Sequence, residues 1–185
     1  PNLNSLSKDG SYINETITGF IDFTTSSTSK VLLDENQLYK NSVYSPISYY
    51  MALSIVTDFS DGNTKQELLN ALKVADLEKL KINNRNIFKG SYINNDKGYC
   101  LFANSIWLNN SYGLNYNQSA LKSLSENYYA YAFNEDFNDT TVKEKITNWI
   151  IENTGNKIKD ISVNLNPEEL IRVINTVNFD NKWIE

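Results

Sequence analysis

The chain has 185 residues and a mass of 21.2 kDa, which is enough for one domain with a sizeable hydrophobic core. Hydrophobic residues make up 41% and charged residues 21%, a balance that excludes wholesale disorder and a fibrous repeat. The 17 basic and 22 acidic residues give a net charge of −5, which argues against a nucleic-acid partner because such proteins need a basic face.

The supply of reactive side chains is small. The chain has no histidine, which excludes a Ser-His-Asp triad, a Cys-His pair and a histidine-ligated metal. The single cysteine, Cys100, cannot form an internal disulfide and is interpreted as a small buried apolar residue. Ser-x-x-Lys spacings begin at Ser27 and Ser119, but the companion Lys-Thr-Gly motif is missing. We therefore expect no catalytic site, no cofactor and no metal.

The N-terminal part of the chain combines a polar segment with a first helix. Residues 1–15 are expected to be a loose polar lead-in, and residues 16–185 are expected to form one domain. The run 24–29 is rich in Ser and Thr, so packing must stabilise the helix that passes through it. The spacing that predicts this helix is set by Phe20, Phe23, Ser27, Val31 and Leu32.

A second helix is predicted over residues 46–57. Ser45 is a favourable N-cap, and Pro46 fits the first helical position. The helix is apolar nearly all round, which predicts that it lies inside the molecule. Its most apolar run, 49–56, is far shorter than the roughly 20 residues that a membrane span requires.

The middle of the chain alternates between helix and strand signals. Thr64 and Glu67 have the spacing of a capping box, which predicts a helix over 64–73. A helix is also predicted over 79–93; we interpret its basic residues as a solvated face, with a polyanion site as the alternative. The other predicted elements are strands at 99–108 and 131–137 and a helix at 117–128.

The last part of the chain predicts one helix and one long strand. Thr141 and Glu144 form a second capping box at the start of a helix that ends near Asn153. Residues 170–183 alternate between a mainly apolar face and a mixed face that includes Ile174, a pattern that predicts a central strand of a sheet covered on both sides. Because such a strand at the chain end would have a bare edge, we expect the sequence to be part of a longer fold.

Five segments in this order resemble the serpin family. They are residues 41–48, 62–68, 103–107, 146–158 and 174–183. The resemblance implies an α+β fold in which helices A–F pack on part of a large central β-sheet, sheet A. The sheet would be incomplete because the chain ends in its third strand, so the sequence would be the N-terminal half of a serpin domain.

The resemblance also implies a function and a set of site residues. The function would be protease inhibition by a suicide-substrate, loop-insertion mechanism, directed at serine proteases, with cysteine proteases as a second class. The partners would be the target protease and the missing C-terminal half, which would carry the reactive-centre loop. The implied shutter residues are Ser45, Ser48 and Asn175, the implied breach residue is Trp183, and the helix F signature is Asn148, Trp149 and Thr154.

Simpler interpretations remain beside these. Ser45 can be an N-cap only, and Trp183 a core residue only. The whole chain can instead be a non-inhibitory serpin-fold binding protein, or a secreted carbohydrate-binding module. The last hypothesis comes from an excess of Asn and Tyr and from Asn-x-Ser/Thr sequons at Asn14, Asn109, Asn117 and Asn138. We expect secretion, with an intracellular protein as the alternative.

Overall fold

The protein is described by a computed structural model that covers residues 1–10, 17, 19–33 and 40–182. These residues contain six α-helices and four β-strands, besides a short 3₁₀-helix at Leu3–Ser5. The helices are α1 (Phe20–Leu32), α2 (Pro46–Phe59), α3 (Gly62–Ala71), α4 (Leu77–Ser91), α5 (Gln118–Asn127) and α6 (Thr141–Asn153). The strands are β1 (Ile93–Asn94), β2 (Gly98–Asn109), β3 (Ala130–Glu135) and β4 (Ile171–Asn181).

The four strands form one mixed sheet around β2. Strand β4 pairs with β2 in antiparallel register, and Asn104 lies opposite Asn175. On the other side of β2, β3 is parallel and β1 is antiparallel. Among the described residues, the outer edge of β4 pairs with no strand.

Helices cover both faces of the sheet. Val177 packs with the core formed by α1–α4, and Val173 packs with a core that includes residues of α2 and α5. Ile174, on the opposite face, packs with the core that α6 contributes. The expectation that both faces of this strand are covered is therefore confirmed, while its expected central position is not, because β4 pairs with β2 alone among the described strands. The alternation of the two faces follows from the two-residue repeat of a strand.

Both predicted capping boxes are wrong, although both helices are present. Helix α3 begins at Gly62, two residues before Thr64, and Asp61 caps it by accepting a hydrogen bond from the Gly62 N–H at 2.8 Å. In α6, Thr141 is already the first helical residue, and Asp139 Oδ1 accepts from its N–H at 2.8 Å. In each case an aspartate one or two residues upstream supplies the acceptor that helix N-termini favour.

The described part of the lead-in is packed on the domain. Leu3 and Leu6 contact the first core cluster, and the Asn94 N–H donates to the Lys8 carbonyl at 2.7 Å. Cys100 is half-buried against the same cluster, and burial raises the pKa of its thiol. The segment is therefore not loose over residues 1–10, because two leucines give it an apolar anchor.

One side of α2 is open, unlike the fully enclosed helix that its apolar sequence predicts. Tyr49 and Val56 are exposed, while Tyr50, Met51 and Ile55 on the opposite side are buried. An apolar groove of about 450 Å³ runs along the open side, lined by Ala52, Leu53, Val56, Phe59, Ser60, Ile106, Ile171 and Val173. No helix among the described residues is long and apolar enough to cross a bilayer.

Candidate functional site

The first part of the site is built at the N-terminus of α2. Ser45 is the N-cap, and its Oγ accepts from the Ser48 N–H at 3.3 Å. One turn into the helix, the Ser48 hydroxyl donates to the Asn175 side-chain carbonyl on β4. The structure thus brings together Ser45, Ser48 and Asn175, and Ser45 is an N-cap whatever further role it has.

A fourth residue, Asn104 on β2, extends this group. Asn175 Nδ2 donates to Asn104 Oδ1 at 2.6 Å, and Asn104 Nδ2 donates to the Tyr128 carbonyl at 2.7 Å. Asn104 is fully buried. We call Ser45, Ser48, Asn104 and Asn175 the polar cluster; it connects α2, β4, β2 and the C-terminal end of α5.

The polar cluster consists of side chains that can exchange hydrogen-bond partners. Hydroxyls and amides both donate and accept, so they can exchange partners without leaving a buried polar group unpaired. An open groove of about 320 Å³ borders Ser45, Ser48 and Asn175, which gives one side of the cluster access to solvent. Among the described residues, no group of acidic and cysteine side chains is placed to hold a metal ion.

Sequence reasoning did not select Asn104 as a site residue, although it lies in a segment that carries the family resemblance. The available signal was a polar residue in a strongly apolar strand, flanked by Phe102 and Ile106 on the same face. A buried amide at such a position needs a partner. The partner is decided by the β2–β4 register, which local sequence does not specify.

The helix F signature residues lie on α6 and at its end, in different environments. Trp149 is buried against the sheet, and Asn148 next to it is exposed. Thr154 is buried, and its hydroxyl donates to the Ile150 carbonyl at 2.8 Å and accepts from the Ile158 N–H at 3.4 Å. Thr154 therefore connects the last turn of α6 to the segment that follows the helix. Trp183, the expected breach residue, lies outside the described residues.

A second hydrogen-bond centre that sequence reasoning missed is Asn109, at the end of β2. Its Nδ2 donates to the Pro167 and Glu169 carbonyls, both at 2.9 Å. Its Oδ1 accepts from the Phe137 N–H at 3.2 Å and from both the N–H and the hydroxyl of Ser111. Asn109 is fully buried, so a glycan on its Nδ2 is incompatible with this fold, although the residue begins a sequon.

The segment after α6 is joined to β4 by an exposed ion pair. Lys157 Nζ donates to Asp180 Oδ2 at 3.2 Å, and this contact is the main reason that the pKa of Asp180 lies below its usual range. A carboxyl with a lowered folded-state pKa stabilises the fold above its unfolded pKa, near 3.9, and loses that effect as the pH falls through the folded value.

Lys157→Ala is therefore expected to raise the pKa of Asp180 towards that of an unfolded aspartate, because the donor that favours the carboxylate is removed. The measurement is an NMR titration of the Asp180 carboxyl carbon. Lys143→Ala, at an exposed position of α6, is the control and should leave the titration unchanged. An unchanged Asp180 titration in Lys157→Ala would contradict the ion pair.

Comparison with known proteins gives one consistent family. A family model described as serpin (serine protease inhibitor) matches residues 22–185. Serine protease inhibitor 42Dd of Drosophila melanogaster is 26% identical over 160 residues, which are 82% of this chain and 42% of that protein. The thermophilic serpin tengpin in its latent state matches with a TM-score of 0.80 and 26% identity, over 95% of this chain and 46% of that one.

The fold extends to more distant members. Human thyroxine-binding globulin matches with a TM-score of 0.75 at 16% identity, over 89% of this chain and 44% of that one, a likeness of fold alone. This chain spans about two fifths of the length of the curated relatives that it matches. The expected α+β fold, with helices packed on part of a large sheet, is confirmed. The chain belongs to the serpin family, whose members are generally inhibitors rather than catalysts.

Proposed function

We propose that this chain is the N-terminal portion of an inhibitory serpin that acts on serine proteases, with cysteine proteases as a second target class. The observation that carries the proposal is the polar cluster, which attaches β4 to α2 beside an edge of β4 that pairs with no described strand. A free edge of this length offers a row of backbone donors and acceptors to an incoming strand.

In this proposal, a protease cleaves a reactive-centre loop outside these residues, and the loop then inserts as a strand beside β4. Completion of the sheet pairs backbone groups and buries apolar surface, which releases strain held in the native fold. The polar cluster would act as the shutter, because Ser48 and Asn175 must separate or shift when β4 acquires a neighbour. Trp183 would act at the breach, where insertion begins.

The other proposed partner is the C-terminal half of the same protein. The apolar groove along the open side of α2 is lined almost entirely by hydrophobic side chains, among them Val56, Phe59 and Val173. Removal of apolar surface of this kind from water has a favourable free energy. We propose that the second half covers this groove and pairs with the free edge of β4.

The test uses the full-length protein that contains this chain. We expect it to form a covalent, SDS-resistant adduct with at least one enzyme of a serine- and cysteine-protease panel. Ser48→Ala and Asn175→Ala, which remove the hydrogen bond between α2 and β4, should increase the fraction of protein cleaved without adduct formation by several-fold. Asn134→Ala, at an exposed position of β3, is the matched control. Cleavage without any adduct across the whole panel would contradict the proposal.

The second candidate is a non-inhibitory serpin-fold binding protein. In this candidate the apolar groove stays open in the full-length protein and holds the ligand. The specific observation in its favour is the groove's volume of about 450 Å³, which lies within the range of small-molecule sites. Binding of an apolar ligand by the full-length protein, without an adduct to any protease, would favour this candidate. The observations behind these two candidates do not support the carbohydrate-binding hypothesis. We further propose that the protein is secreted, which its recovery from the culture medium of the producing cells would test.

A further inference from the structure

Met51, the single methionine of the chain, contacts two members of the polar cluster. It belongs to α2 and is 1% exposed. Its Sδ atom is 3.9 Å from Asn104 Nδ2 and 3.9 Å from Asn175 Nδ2. The thioether therefore faces amide donors from two neighbouring strands at once.

These contacts complete the hydrogen bonding of both amide groups. Each asparagine NH₂ group has two protons to donate. In Asn104 one proton is used by the Tyr128 carbonyl, and in Asn175 one is used by Asn104 Oδ1. The second N–H of each amide group donates to the Met51 sulfur. The sulfur is thus the shared acceptor for two donors in the interior of the protein.

A thioether is a weak acceptor, so these two contacts hold the amides loosely. An oxygen bound to the sulfur would be a far stronger acceptor. The two nitrogens lie on the same side of the sulfur, because Asn175 Nδ2 is only 2.6 Å from the carbonyl oxygen of the Asn104 amide. A sulfoxide oxygen on that side would come within hydrogen-bond distance of both.

We propose that Met51 is a site of oxidative modification, and that its sulfoxide tightens the attachment of β2 and β4 to α2. The inference rests on the proposed role of the polar cluster in opening the sheet. The oxidant class is a hydroperoxide. The sulfur lone pair attacks the terminal OH oxygen of the peroxide, and the S–O bond forms as the O–O bond breaks. The other oxygen leaves as an anion and takes up the proton of the transferred OH, which gives water from hydrogen peroxide or an alcohol from an organic hydroperoxide. Sulfur is oxidised by two electrons, and the peroxide is reduced.

The burial of Met51 links the modification to opening of the cluster. Asn175 lines the solvent-accessible groove and also contacts the sulfur, so a shift of this one side chain would expose the thioether. Oxidation is therefore slow in the closed arrangement and faster once Ser48 and Asn175 separate. If the cluster opens while peroxide is present, Met51 is oxidised, and the oxidised cluster then opens less often.

The test treats the full-length protein that contains this chain with dilute hydrogen peroxide. Peptide mass spectrometry follows one added oxygen on Met51, separately from oxidation of Cys100, and amide hydrogen exchange is measured in β2 and β4. We expect slow conversion of Met51, and about tenfold slower exchange near Asn104 and Asn175 in the sulfoxide form. Met51→Leu removes the acceptor at similar volume and should exchange faster than the unmodified chain. Met51→Gln supplies an amide oxygen and should reproduce the slower exchange.

The outcomes separate this inference from the proposed function. Faster exchange in the sulfoxide form, or Met51→Leu exchange equal to that of the unmodified chain, would overturn the inference. So would the absence of Met51 sulfoxide under conditions that fully oxidise free methionine. Ser48→Ala tests the shutter role: it should speed both exchange and Met51 oxidation by about tenfold. If it changes neither while the sulfoxide still slows exchange, the shutter role fails and the effect of the modification stands.

Discussion

Asn109→Ala is expected to lower the free energy of unfolding by about 3 kcal/mol, because a buried donor or acceptor that loses its partner costs about 1–3 kcal/mol. The substitution removes five hydrogen bonds from one fully buried side chain. It leaves the Phe137 N–H and the Pro167 and Glu169 carbonyls without this partner. These groups belong to two separate segments, which meet at the end of β2.

Urea unfolding, followed by circular dichroism, measures the loss. The control is Asn110→Ala, which changes the same residue type at the next position, where the side chain is exposed. The control should stay within about 0.5 kcal/mol of the unmodified chain. Equal effects of the two substitutions would show that the Asn109 hydrogen bonds contribute nothing to the fold.

Trp149→Ala is expected to have an effect of similar size, about 3–5 kcal/mol, because removal of a buried indole loses apolar contact and leaves a cavity. Trp149 is 8% exposed and packs in the core that joins α6 to the sheet. That core also holds Trp107, which stacks on Phe133 with 4.1 Å between ring centroids. Loss of Trp149 should therefore loosen α6 from the sheet.

The matched control for Trp149 is its neighbour in the helix F signature. Asn148 is exposed, so Asn148→Ala should change the free energy of unfolding by less than about 0.5 kcal/mol. Urea unfolding of the two variants gives the comparison, and near-ultraviolet circular dichroism of Trp149→Ala reports on the packing around Trp107. A Trp149→Ala variant as stable as Asn148→Ala would contradict the packing argument. The signature thus combines one residue that stabilises the fold with one whose side chain faces solvent.

Trp149 and Asn109 differ in how far the sequence predicted their surroundings. The stripe Val142, Ile146, Trp149 and Ile150 has helical spacing, and the structure buries all four side chains. For Asn109 the local pattern predicted only the end of a strand and a sequon. Three of its five hydrogen bonds reach the turn at Phe137 and the segment 167–169, which only the folded chain brings to the end of β2.

The polar cluster shows the same division. Ser45 and Pro46 predicted the start of α2 from local chemistry, and the structure confirms it. Ser48 and Asn175 were selected together only through the family resemblance, since 127 positions separate them in the sequence. Asn104 and Met51 were not selected, because nothing near them in the chain indicates which groups they meet.

The amino-acid order alone was sufficient for the positions of the six helices and of three of the four strands, for the coverage of both faces of β4 and for the shortage of catalytic groups. These properties depend on side-chain periodicity and composition, which neighbouring residues specify. The tertiary structure decided the docking of residues 1–10, the open side of α2 and the partners of Asn104, Asn109 and Met51. Those depend on strand register and on contacts between distant segments, where a shift of one residue exchanges the two faces of a strand.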